Sequence, residues 1–121
     1  MQPQKNKINK SFFYAFKGLG AAYNERNFKV HLAGAFLATI AGFIFKISET
    51  EWLVVIAFIA MVMTAEIFNT AIEGIVDIIS PQWQQAAGRI KDLAASAVLV
   101  TAIASVIAAG IIFIPKMVAC L

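Results

Sequence analysis

Residues 93–114, LAASAVLVTAIASVIAAGIIFI, contain no charged side chain and no proline. A run of this length matches the ~20 residues a helix needs to cross a hydrocarbon layer about 30 Å thick. Hydrocarbon offers no hydrogen bonds, so a crossing chain must satisfy its own N–H and C=O groups as a helix or as a closed barrel. With no charge along it, the run reads as a spanning helix. This segment therefore sets the class of the chain: an all-α integral membrane protein.

The rest of the sequence agrees. It is 60% hydrophobic and 14% charged, with a mean hydropathy of +0.78. A soluble domain of 121 residues would leave much of that apolar surface against water. Residues 29–46 form a second span; Val30–Phe45 is short for a crossing, but Lys29 and Lys46 can snorkel from its ends. A third span covers 52–72 and continues as helix to 79. The polar stretch SPQWQQAAGRIKD follows, opened by a Ser80-Pro81 turn. Pro115-Lys116 is expected to close the last span. Gly34, Ala38 and Gly42, at intervals of four, suit close helix packing. No repeat, low-complexity tract or second domain is visible, so residues 1–121 read as a single domain.

Ahead of the spans, Phe12, Phe16, Leu19 and Tyr23 fall on one helical face at steps of four, three and four. Lys5, Lys7, Lys10 and Lys17 lie around that stripe. An amphipathic helix over about 9–23 is expected on the membrane surface. Its interleaved aromatics favour lipid headgroups over nucleic acid. No apolar core followed by a small-residue cleavage site marks a signal peptide. The lone Cys120 permits no internal disulfide. Lys and Arg crowd the region before the first span and, through Arg89 and Lys91, the region before the last. The opposite flanks hold only Lys46 and Lys116. By the positive-inside rule the N-terminus and the Ser80–Asp92 loop face the cytoplasm. Trp52 and Trp83 read as interfacial anchors.

The third span carries the unusual chemistry. In AEIFNTAIEGIVDIIS, Glu66, Asn69, Glu73 and Asp77 fall within a sector of roughly 80° on a helix of 100° per residue. Counted from Trp52 at ~1.5 Å per residue, Glu66 lies about 20 Å in, some two-thirds of the way across the hydrocarbon. Glu73 then sits near the cytoplasmic boundary and Asp77 just beyond it. A carboxylate at membrane depth costs about 2.5–3.5 kcal/mol on insertion scales, so a partner, a proton or a function must offset it. A purely structural reading, with Glu66 protonated and Asn69 as interhelical glue, explains one such group more easily than four in register. Carboxylates and an amide are hard oxygen donors suited to Mg²⁺, which shares its shell with nucleotide phosphates. Arg89 and Lys91 would complement phosphate charge. There is neither a P-loop nor a kinase-type glycine loop. His31, without a second His or a nearby Cys, reads as an interfacial hydrogen-bonding side chain rather than a metal ligand. Spacing alone leaves two readings open, a phosphoryl-transfer site and a non-catalytic membrane oligomer (a cation pore or regulatory subunit) lined by the acids.

The segment AEIFNTAIEGIVD closely resembles the signature of the prokaryotic diacylglycerol kinase and undecaprenol kinase family, E-[IL]-x-N-[ST]-A-I-E-x-x-x-D. FKGLGAAYNERNF and GRIKDLAASAVL resemble two further family stretches in the same order. Asn24–Phe28 is closer to the undecaprenol kinase branch. The resemblance covers nearly the whole chain and implies a three-span enzyme of the bacterial inner membrane. Such enzymes form homotrimers with active sites shared between subunits, and transfer the γ-phosphoryl of MgATP to a lipid alcohol, undecaprenol or diacylglycerol. Carried onto matching positions, Glu66 is the general base and Asn69 orients the reacting groups. Glu73 and Glu25 hold Mg²⁺. Asp77, Lys91, Asp92 and, more weakly, Arg89 complete the nucleotide side. Ile90 and Ser96 depart from the family's usual Ala and Gly, and Pro81–Gln85 shares little with the family loop.

Overall fold

The computed structural model describes residues 7–121; Lys5, counted above among the basic N-terminal residues, lies outside the described residues. Four helices follow in order: α1 (Lys7–Tyr23), α2 (Arg26–Ile44), α3 (Glu49–Ile79) and α4 (Gln85–Ala119). Among the described residues there is no strand. Helices α2, α3 and α4 are each long and apolar enough to cross a membrane. At ~1.5 Å per residue α2 extends roughly 28 Å, close to the hydrocarbon thickness, whereas α3 and α4 reach roughly 46 and 52 Å. The two long helices therefore project together beyond the apolar layer. They pack chiefly on each other, with α2 against α3 and α1 against α2.

The turn between α2 and α3 is tight. Ile47 N donates to Gly42 O at 3.1 Å and Phe45 N to Ala41 O at 2.9 Å, the first being the bond of a Schellman closure. That closure puts Lys46 at φ 50°, where glycine is the usual occupant. Ile47, the next residue, is buried against Val55, Ile112 and Phe113. Its anchoring offsets the strain at Lys46. Ser48 then caps α3: its hydroxyl accepts from Glu51 N at 3.2 Å, and the Glu51 carboxylate accepts from Ser48 N at 3.0 Å. This reciprocal pair occupies two N–H groups that a helix start leaves without partners.

Two boundaries differ from the sequence expectation. Pro115 does not close α4, which continues to Ala119. A mid-helix proline removes one backbone donor and frees one carbonyl. The next residue, Lys116, anchors the helix beyond the proline, its ammonium donating to Glu51 Oε2 at 2.6 Å and to Ile112 O at 3.4 Å. The ion pair ties the last turns of α4 to the first turn of α3. The polar stretch after Pro81 is likewise not a loop throughout, since α4 begins at Gln85. Ser80 Oγ donates to Gln82 O at 3.0 Å, which leaves a short connection between α3 and α4.

The buried core gathers near the α2–α3 turn. Phe45 and Phe113 rings lie 6.1 Å apart, and Phe43 and Trp52 rings 4.9 Å apart. Trp52, expected as an interfacial anchor, packs closely enough on α2 that a Cβ built on Gly42 would come within 2.5 Å of its ring. Gly34, two turns earlier, meets nothing within 4 Å. The chain as a whole exposes 9401 Å², against the roughly 6400 Å² expected of a soluble globule of its mass. Phe36, Leu37, Leu53 and Ile107 are among the large apolar side chains left outward. Such a surface is suited to lipid.

Gly42→Ala should overpack the Trp52 contact and lower stability by about 1–3 kcal/mol. Thermal unfolding in detergent micelles checks this; the cost should shrink in a Trp52→Phe background, and an unchanged midpoint would contradict the close approach.

Candidate active site

Antiparallel packing brings the N-terminus of α2, the C-terminal half of α3 and the N-terminus of α4 to one end of the bundle. The acidic stripe lies there. Glu66 and Asn69 are the buried polar residues among those described, at 2% and 4% exposure, although they sit in an otherwise apolar helix. Glu73 is half-buried and Asp77 exposed. The four residues thus grade from interior to surface along a single face, as their spacing requires.

Each member has a different partner. Glu66 Oε2 lies 3.9 Å from His31 Nε2 on α2. Asn69 Nδ2 donates to Glu73 Oε1 at 3.2 Å, one turn along the same helix. Asp77 accepts from the ammonium of Lys91 on α4. Glu66 also lies within electrostatic range of Glu73 and of Glu25, and Lys91 within range of Glu73. Glu25 occupies the N-cap position of α2 but makes no capping hydrogen bond with its side chain. Its carboxylate is exposed and uncommitted to the helix end. The structure therefore draws Glu25, Glu66, Asn69, Glu73, Asp77 and Lys91 toward one region. Arg89 and Asp92 are exposed on α4, and their side chains make no hydrogen bond or ion pair with described residues.

Asn69 Oδ1 is buried with no hydrogen-bond partner. A buried amide oxygen left unpaired costs about 1–3 kcal/mol, so its retention beside two carboxylates needs a reason. A cation or its bound water is one partner that suits it. Among the described residues no group of three or more His, Cys, Asp or Glu side chains is gathered as a ready cation cage. Mg²⁺ does not require one, being bound by one or two carboxylates together with phosphate oxygens and water. Glu73 and Glu25 fit that pattern, with Asn69 close at hand.

His31 is the residue that sequence reading set aside. It is 35 positions from Glu66, so no periodicity links them, and only the packing of α2 on α3 does. An apolar cavity of about 410 Å³ lies between α2, α3 and α4 and has His31 in its wall. A smaller cavity of about 240 Å³ sits at the α3–α4 turn, lined by Asp77, Trp83, Gly88 and Lys91 among others. Trp83 is exposed on its rim.

If Asn69 serves a site rather than the fold, Asn69→Leu should leave stability within about 1 kcal/mol, because half-buried Glu73 can take water in place of the lost donor and the unpaired buried oxygen is removed. Unfolding in mixed micelles tests this; a loss above about 3 kcal/mol would make the amide structural.

Comparison with known proteins matches the sequence to one family. The prokaryotic diacylglycerol kinase profile matches residues 13–113. Undecaprenol kinase of Bacillus subtilis (strain 168) is 40% identical over 113 residues, covering 93% of this chain and 92% of its own. Diacylglycerol kinase of Escherichia coli (strain K12) is 34% identical over 102 residues, 84% of each chain. Diacylglycerol kinase of Synechocystis sp. is 33% identical over 109 residues, 88% of this chain and 62% of its own. These relatives are kinases, which decides against the non-catalytic oligomer. With three apolar spans, a buried carboxylate and a polar track at one end of the bundle, the chain is a membrane lipid kinase belonging to the prokaryotic diacylglycerol kinase family.

Proposed function

We propose that this enzyme transfers the γ-phosphoryl of MgATP to the primary hydroxyl of a membrane lipid, with Glu66 as general base. The observation that carries the reading is the gradient of burial along α3, from Glu66 at 2% exposure to an exposed Asp77. A lipid hydroxyl arrives from hydrocarbon and a nucleotide from water, so the proton acceptor belongs deeper than the groups that hold phosphate. Glu66 takes the hydroxyl proton as the oxygen attacks the γ-phosphorus. The new O–P bond replaces the bond to the β–γ bridging oxygen, which departs on ADP. Little else is asked of the protein, since phosphoryl transfer depends mainly on positioning and charge neutralisation.

Glu73 and Glu25 would hold Mg²⁺, which when bound neutralises charge on the triphosphate. Asn69 keeps the Glu73 carboxylate in place through its Nδ2 hydrogen bond. Lys91, already paired with Asp77, is positioned to exchange part of that bond for a phosphate oxygen. Arg89 and Asp92 take the outer nucleotide contacts. The N-terminus and this end of the bundle face the cytoplasm, in keeping with the basic flanks, and α1 lies on the membrane surface with Phe12 and Phe16 toward the acyl chains. A homotrimer would cover the outward apolar surface and let one subunit complete another's site. Between the two lipid alcohols we favour undecaprenol. The reasons are the Asn24–Phe28 segment and the 40% identity to an undecaprenol kinase over nearly the full length of both chains.

Glu66→Gln should lower kcat by about 10²–10⁴, the usual contribution of a general base, while MgATP affinity changes little. Radiolabelled ATP with each lipid in micelles measures this. Near-normal kcat in the variant would rule out the base role, and a higher kcat/KM for diacylglycerol would reverse the substrate assignment.

A further inference from the structure

Glu66 enters the bundle as a long side chain with three rotatable bonds, in the middle of a helix. A base that must meet an incoming hydroxyl needs a third group to hold it. Its own helix does not supply one. One turn earlier stands the apolar Val62, and Asn69 has committed its Nδ2 to Glu73. The group that faces Glu66 comes from α2: His31 Nε2 at 3.9 Å from Oε2. That separation is longer than a hydrogen bond but within reach of one after a small side-chain rotation, and catalytic contacts often tighten only when substrate is bound.

The cavity beside it adds a second, independent observation. Its wall is built from residues such as Gly34, Ala38, Val62 and Ala102, with two polar side chains, His31 and Ser105. Ser105 Oγ already donates to Ala102 O at 2.8 Å on its own helix. The imidazole of His31 makes no such bond to its own helix. It is the polar group that both borders the apolar cavity and faces the buried carboxylate.

We propose that His31 is a positioning residue for phosphoryl transfer, its imidazole holding the Glu66 carboxylate at the border of the cavity so that it meets the acceptor hydroxyl. The inference rests on the reading of Glu66 as the base. Its contact is with Glu66, and on this reading its effect belongs to kcat.

The test is steady-state kinetics of the full-length enzyme in lipid micelles, with KM for MgATP and thermal midpoint measured alongside. His31→Ala should lower kcat about ten- to a hundredfold, less than the ~10²–10⁴ of the base itself, with KM for MgATP within twofold. His31→Gln, which keeps a polar donor at similar reach, should recover most of the loss. In a Glu66→Asp background, where the carboxylate is drawn back from the imidazole, His31→Ala should cost less than twofold, because residues acting as a unit are not additive. The proposal is overturned by a kcat within twofold of wild type for His31→Ala. It is equally overturned by a loss that His31→Gln does not recover, or by an undiminished effect in the Glu66→Asp background. Failure of the base reading looks different, since Glu66→Gln itself would then turn over near normally.

Discussion

Hydrocarbon does not solvate charge, and the placement of α3 follows from that fact. An acidic side chain within a helix apolar enough to cross a membrane must point into protein or carry a proton. With Glu66 at 2% exposure the helix has little rotational freedom about its own axis, because turning it outward would deliver a carboxylate to lipid. Once α3 is fixed, the face it offers to α2 and α4 is fixed too. Asn69 and Glu73 then fall toward the bundle interior and Asp77 toward the end where Lys91 can meet it. The opposite end is held by other means: a Schellman closure at Lys46, Trp52 over Gly42, and Lys116 reaching Glu51. One end is packed and pinned, and the other is polar and incompletely satisfied.

That asymmetry matches a reaction whose two substrates dissolve in different phases. At the closed end Ser48, Glu51 and Lys116 are partnered within the chain. At the other, Asn69 Oδ1 is buried without one, and the Glu25 side chain declines the capping role its position offers. Proteins tolerate unsatisfied buried polar atoms rarely, and where they do the atom is often reserved for a ligand. On the proposed reading the missing partner is supplied together with MgATP. The nucleotide would complete the hydrogen-bonding of this end rather than enter a finished pocket.

Much of the fold was legible because membrane crossing is a question of length and apolarity. The uncharged run 93–114 is enough to assign a helix without knowing its neighbours. Its ends were not legible. Pro115 carries a strong local stop signal, yet α4 passes through it, since Lys116 gains a tertiary ion pair that local rules do not see. Gln85–Asp92 looks polar enough for a loop but is helical, because α4 continues beyond the hydrocarbon into a region where polar residues are at home. The Ser48–Glu51 capping box was in the sequence all along, as Ser followed three residues later by Glu before an apolar run. The acidic stripe was readable from 3.6-residue periodicity, as was the Asn69–Glu73 contact one turn apart. His31 opposite Glu66 was not. Their pairing depends on the register between α2 and α3, and that register is set by the turn at Phe45–Ser48 and by the seat of Trp52.

The account divides the stripe into a deep proton acceptor and shallower metal-holding carboxylates, and a spectroscopic measurement addresses that division directly. With Mn²⁺ in place of Mg²⁺ and ATP bound, electron–nuclear double resonance on enzyme carrying ¹³C-carboxylate glutamate reports which glutamates lie at bonding distance from the ion. The account predicts a coupling that weakens in Glu73→Gln and in Glu25→Gln but is unchanged in Glu66→Gln. A coupling that survives both shallow substitutions and disappears with Glu66 would place the metal where we have placed the base, and would contradict it.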